Sequence, residues 1–188
     1  MWFSLAMLAA AAPPSAVLTG PAGELRWTVT ETATGLSVDG RSPTWSVHHE
    51  CAADFTPRRT VRTGADGATT RIEYDAGGAT VTSPSGRVRV DLPGLWDGDV
   101  LDVRLGAWSA GHTTALAFSA VDGGSGKVYG FDATYRGEAQ RGGVACRAWR
   151  VQLAGIYRLV GPTWEYCYAA GGRLVWFSGP IGVFEVAR

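Results

Sequence analysis

From Glu24 onward, turn chemistry recurs about every 8–12 residues, and short alternating stretches fill the intervals. Gly64-Ala65-Asp66-Gly67 and Pro84-Ser85-Gly86 punctuate the first half, and Gly-Gly pairs at 123–124, 142–143 and 171–172 punctuate the second. This rhythm argues for hairpins of an antiparallel sheet. Strands are expected at Glu24–Thr30, Gly35–Val38, Pro43–Cys51, Pro57–Arg62, Thr70–Tyr74, Ala79–Ser83 and Arg87–Leu92. They resume at Ala115–Val121, Lys127–Tyr135, Val144–Leu153, Thr163–Ala169, Arg173–Ser178 and Ile181–Val186. Between the two sets, Asp99–Trp108 reads as one short helix: Asp99 is placed to cap it, and Gly111 to stop it. Gly106 weakens that helix. With no repeat, charge run or linker, residues 24–188 read as one all-β domain. The expected form is a single antiparallel, strongly curved sheet or open β-barrel, with one short helix near 99–108.

The N-terminus speaks to compartment. Met1 to Ala12 is apolar and uncharged, ends in small residues and precedes Pro13-Pro14. Residues 1–11 therefore read as a secretory signal peptide, although the usual leading cation is missing. Residues 12–23 read as a disordered leader. The apolar run falls short of the ~20 residues a membrane helix needs, and no later segment approaches that length. A periplasmic or extracellular location follows, with no transmembrane segment in the mature chain. The balance of 17 basic against 17 acidic residues argues against nucleic acid as a partner.

Three cysteines remain: Cys51, Cys146 and Cys167. If Val144–Leu153 pairs with Thr163–Ala169 so that Cys146 opposes Cys167, a disulfide forms on one face and Cys51 stays free. Three reduced cysteines are the alternative. The same register sets Trp149 opposite Trp164 on the other face, where Tyr166, Tyr168, Leu174 and Trp176 extend an apolar wall. That wall is either plain hydrophobic core or the lining of a half-barrel cavity for an acyl or lipid-like ligand. In the second case Trp149, Trp164, Tyr166 and Trp176 are the ligand-binding residues.

Chemical motifs are sparse. His48-His49-Glu50-Cys51 puts His48 and Glu50 on one face of a strand and His49 and Cys51 on the other, too few donors on either for a closed metal site. A Cys51–His112 nucleophilic pair lacks an orienting third group. Asp97, Asp99 and Asp102 do not follow calcium-loop spacing, and Gly124-Ser125-Gly126-Lys127 lacks the upstream glycine and following hydroxyl of a phosphate-binding loop. Arg58, Arg59 and Arg62 read as solvated strand-edge charge. No nucleophile elbow or His-Glu-x-x-His motif occurs, so no catalytic residue, metal or cofactor is expected.

The order of features resembles domain-of-unknown-function family 3108, a bacterial envelope family. The likeness runs from Thr56-Pro57-Arg58-Arg59 through Asp99-Val-Leu-Asp102 and Gly142-Gly143-Val-Ala-Cys146 to Trp164-Glu-Tyr-Cys-Tyr168 and Gly172-Arg-Leu-Val-Trp176. It implies a curved periplasmic sheet similar in shape to lipid carriers, and transfers no catalytic residue. The expectation is an exported, non-enzymatic protein holding an apolar envelope ligand. A packed structural or protein-interaction module and a carbohydrate-binding sandwich using exposed rings such as Trp45 or Trp176 are the rivals.

Overall fold

The computed structural model describes residues 15–123 and 125–186. The expected signal peptide, residues 1–11, lies outside the described residues. Among the described residues, fifteen strands form one sheet that curls on itself without closing. The N-terminal strands are β1 (Ala16–Gly20), β2 (Gly23–Thr32), β3 (Gly35–Arg41), β4 (Trp45–Cys51), β5 (Pro57–Gly64), β6 (Thr69–Asp75), β7 (Gly78–Ser83) and β8 (Gly86–Val90). After the two-residue β9 (Trp96–Asp97) and the helix α1 (Leu101–Ser109) come β10 (Leu116–Val121), β11 (Val128–Arg141) and β12 (Val144–Leu153). The chain ends with β13 (Thr163–Tyr168), β14 (Leu174–Gly179) and β15 (Gly182–Val186).

Each strand neighbours its sequence neighbours, with two exceptions. β1 pairs with β15 as well as β2, and β8 and β9 are the two ends of the sheet. Of the expected disordered leader over 12–23, residues 12–14 lie outside the described residues, and Ala16–Gly20 form β1. Ala16 and Leu18 alternate inward, at 7% and 0% exposure, and their strand joins the N- and C-terminal halves of the sheet. All pairings are antiparallel except β9 with β10, which run parallel.

The curl brings the ends of the sheet together. Ile72, Ala79 and Val81 of β6 and β7 pack with Leu95 and with Val121 of β10. Alternation puts Arg26, Asp39, His48, Glu50, Arg71 and Glu73 outward, so the convex face of this half is charged. A lipid-facing barrel wall would be apolar there.

The helix fills the interior. It buries Leu101, Val103 and Leu105 in the main core with Leu25, Trp149 and Tyr166. A 3₁₀ turn, Gly98–Val100, leads into it, and Asp97 caps that turn by accepting the Asp99 N–H at 2.9 Å, while Val100 precedes α1 with no side-chain cap, so Asp99 caps neither. Gly106, unfavourable for helix propensity, has a packing reason. A Cβ there would lie 2.4 Å from the Gly172 carbonyl oxygen, so only glycine lets α1 approach the turn Ala170–Gly172.

Cys146 and Cys167 form the disulfide, with Cα atoms 5.5 Å apart, and Cys51 is free and buried. The register differs from the expected one by two residues. Ala148 opposes Cys167 and Trp149 opposes Tyr166, so the cysteines bridge diagonally. An even shift preserves the faces, and the aromatics still point away from the disulfide. Closing a loop of this size contributes about 3 kcal/mol in the chain-entropy picture.

Candidate functional site

The inner faces of β10 to β13 build an apolar cavity of about 370 Å³, open to solvent. Register explains its walls. Phe118 opposes Phe131, Ala120 opposes Tyr129, Phe131 opposes Leu153, and Val151 opposes Trp164, all on one face. Tyr129, Phe131, Leu153 and Trp164 line the space, and Pro162 stands at its rim. Behind it runs an aromatic column. The Arg104 guanidinium lies 4.1 Å from the Trp96 ring centre, Trp96 stacks on Phe118 at 4.3 Å, and Phe118 stacks on Phe131 at 5.4 Å. Phe131 then meets Trp164 edge-on at 5.8 Å. Burial lowers the Arg104 pKa to about 10, so the cation persists at neutral pH.

The four ring residues expected to bind ligand separate into three settings. Trp164 lines the cavity. Trp149 and Tyr166 are on the same face but 1% and 2% exposed, packed in the core beneath α1. Trp176 is on the opposite face. A bulge between Cys167 and Tyr168 inserts Val175, so Leu174 and Phe177 turn inward while Trp176 joins the disulfide cluster. There the Arg141 guanidinium covers its ring at 4.7 Å. Tyr129 and Phe131, which are not among those four rings, line the cavity beside Trp164, and their alternation in β11 is the only sequence signal for that placement.

A second constellation is buried where the sheet ends meet. The Asp97 carboxylate, from β9, accepts a very short hydrogen bond from the Thr60 hydroxyl of β5 and one of 2.7 Å from the Tyr74 hydroxyl of β6. His49 Nδ1 of β4 lies 2.6 Å from the same Thr60 oxygen. Since the Thr60 proton goes to Asp97, His49 donates from Nδ1. Burial holds the His49 pKa below its usual value, against the pull of Asp97, and keeps the ring neutral. His49 is 1% exposed and Asp97 is 1% exposed, so this network offers no access to a substrate. It is a polar clasp between the sheet ends.

The other chemical candidates have structural partners. The Cys51 thiol is pushed up to about 11 by burial, which leaves it protonated, and it donates to the Leu36 carbonyl. His112 stacks on Trp108 at 4.6 Å with Nδ1 2.8 Å from the Trp108 carbonyl oxygen. Arg58 donates to the Thr34 carbonyl, and Arg62 Nε lies 3.4 Å from Asp99.

The Asp99 carboxyl is pushed up to about 8, first by burial and next by Asp97, while Arg62 opposes the shift. Its unfolded value is near ~3.9, so folding takes up a proton between the two values. The resulting stability is complete at acid pH and is lost as pH rises through about 8. Asp99→Asn, neutral at every pH, is therefore expected to exceed the wild type by at least ~1 kcal/mol at alkaline pH. The difference should vanish near pH ~4, and paired urea titrations at the two pH values measure it.

A search of solved structures finds a β-barrel-like protein of domain of unknown function 1849 from Brucella abortus. The TM-score is 0.63 at 10% identity, over 93% of this chain and 94% of that one. The likeness is one of fold. It concerns a different domain of unknown function from the family 3108 suggested by feature order. No protein-family model matches the chain, and no curated protein matches it.

Proposed function

We propose that this chain is an exported, non-enzymatic β-barrel-like protein that holds an apolar or lipid-like ligand of the cell envelope, with the acyl portion in the cavity of Tyr129, Phe131, Leu153 and Trp164. The observation that carries this reading is the cavity itself: 370 Å³, at the small end of the range for small-molecule sites, and lined mainly by carbon. Burying about six methylenes there contributes about 5 kcal/mol before ordering costs. The disulfide supports export, because thiols stay reduced in most cytosols. No helix among the described residues is long and apolar enough to cross a membrane.

The packed-module reading draws on Trp149 and Tyr166, which are fully enclosed, and accounts for the middle of the barrel but not for its open end. The carbohydrate reading fares worse. Every described tryptophan is buried or half-buried, so none of them stands fully exposed as a flat sugar platform.

Uptake of a fluorescent fatty acid such as cis-parinaric acid tests the proposal. Wild-type protein is expected to bind it, Leu153→Arg to weaken binding by at least ~10-fold by placing a charge in the cavity, and Trp176→Ala to leave it unchanged. A wild type that takes up no probe, or equal affinity in Leu153→Arg, would overturn the reading.

A further inference from the structure

Eight large apolar side chains are exposed among the described residues, and six of them gather at one rim of the barrel. Ile156, Tyr157, Leu159 and Val160 belong to the β12–β13 connection, at 79%, 57%, 87% and 84% exposure. Ile181 and Val183 belong to the β14–β15 hairpin, whose tip adjoins that connection because β13 and β14 are paired neighbours. The other hairpins of this rim carry Pro21-Ala22, Ser42-Pro43-Thr44, Asp66-Gly67, Pro84-Ser85 and, between β10 and β11, Asp122, Ser125 and Lys127, small, polar or charged residues suited to water. One sector of the rim is therefore apolar against a polar background.

The presentation is built into the backbone. The connection folds as a 3₁₀ turn, Gly155–Leu159, closed by Gly161 N–H to the Tyr157 carbonyl at 2.7 Å. Ala154 N–H anchors it to the Gly130 carbonyl at 2.8 Å. Segment 154–163 holds no acidic residue, and its one charge is the exposed Arg158. Lys127, also exposed, immediately precedes β11 at the same end. Leu153 and Pro162, which flank the turn, both line the apolar cavity.

We propose that this rim docks on the surface of an anionic lipid bilayer, with Ile156, Leu159 and Val160 entering the acyl boundary, Arg158 and Lys127 meeting headgroup phosphates, and the cavity mouth facing the lipid. The occupant follows from the chemistry: bulky aliphatic side chains around Arg158, with no carboxylate anywhere in segment 154–163, suit an interface that is apolar below and negative above, and Asp122, beside Lys127, is the acidic residue at the cavity. The inference rests on the cavity reading for its purpose, supplying that ligand from the bilayer, but the docking itself is separately measurable.

Cosedimentation with vesicles of equimolar phosphatidylethanolamine and phosphatidylglycerol tests it. The wild type is expected to sediment with these vesicles and more weakly with phosphatidylcholine. I156S/L159S/V160S is expected to lose at least ~10-fold in partitioning. Arg158→Glu is expected to lose about fivefold or more on the anionic vesicles alone. These side chains face solvent, so both variants should keep the wild-type melting temperature and cis-parinaric acid affinity. A wild type that stays in the supernatant, or a triple variant that sediments equally, overturns docking. So does a wild-type dimer, seen by analytical ultracentrifugation, that the triple variant dissolves while neither protein binds vesicles, since the patch then serves a second copy. Vesicle binding without probe uptake would overturn the cavity reading and leave docking standing; probe uptake without vesicle binding does the reverse.

Discussion

Asp97→Ala is expected to destabilise the protein by about 3–5 kcal/mol, the largest loss from any polar substitution considered. The carboxylate is wholly enclosed and receives the Thr60 hydroxyl, the Tyr74 hydroxyl and the Asp99 N–H. Truncation leaves these donors facing carbon in a site that water does not reach, and each buried unpaired group costs about 1–3 kcal/mol. Tyr74→Phe removes one donor and leaves the carboxylate the other two, so its cost should be nearer ~1 kcal/mol. The difference is diagnostic of position. β9 has two residues and holds β10 by a short parallel ladder, so its attachment to β5 and β6 depends on side chains rather than backbone pairing. Urea unfolding should show a lower midpoint for Asp97→Ala, and hydrogen exchange should show faster opening of Val121 and Ile72, the apolar seam beside the clasp. An Asp97→Ala protein as stable as the wild type would mean that the sheet ends are held by the seam alone.

Why this clasp is hard to read from sequence is a matter of separation. His49, Thr60, Tyr74 and Asp97 come from four strands, and none neighbours another in a motif; curvature of the whole sheet assembles them. Strands with several alternating positions, such as Thr69–Asp75 and Val144–Leu153, are legible because period-2 burial needs only local pattern. β9 is too short to show a period, and β1 lies between prolines next to an apolar run that itself resembles a leader.

The C-terminal sheet shows both sides of the same physics. Parity survives the two-residue register error because the connection 154–162 can lengthen without turning a strand over, so the disulfide and the aromatic wall are assigned to the correct faces. A one-residue bulge does turn a strand over, and Trp176 is on the convex side for that reason. The cavity is legible only in part. Trp164 is among the rings expected to line it, but pattern alone does not distinguish a ring that borders space from one that fills it, as Trp149 does.

That distinction gives the second large effect. Trp149→Ala is expected to cost about 3–5 kcal/mol, because a 1% exposed indole wedged against Trp108 at 5.2 Å and Tyr135 at 5.4 Å leaves a void its neighbours only partly refill. For a domain of total stability near ~5–15 kcal/mol this is about a fifth or more, and it should lower the melting temperature by roughly 6–20 °C. Trp149→Phe should cost far less, since it keeps most of the packed area and removes an indole N–H that has no hydrogen-bond partner. Fatty-acid uptake by the folded fraction is expected to be unchanged in both variants, because Trp149 does not border the cavity lined by Trp164. Affinity that falls with Trp149→Phe while stability holds would move the ligand deeper, to the space beneath α1, and would return Trp149 from core to binding surface.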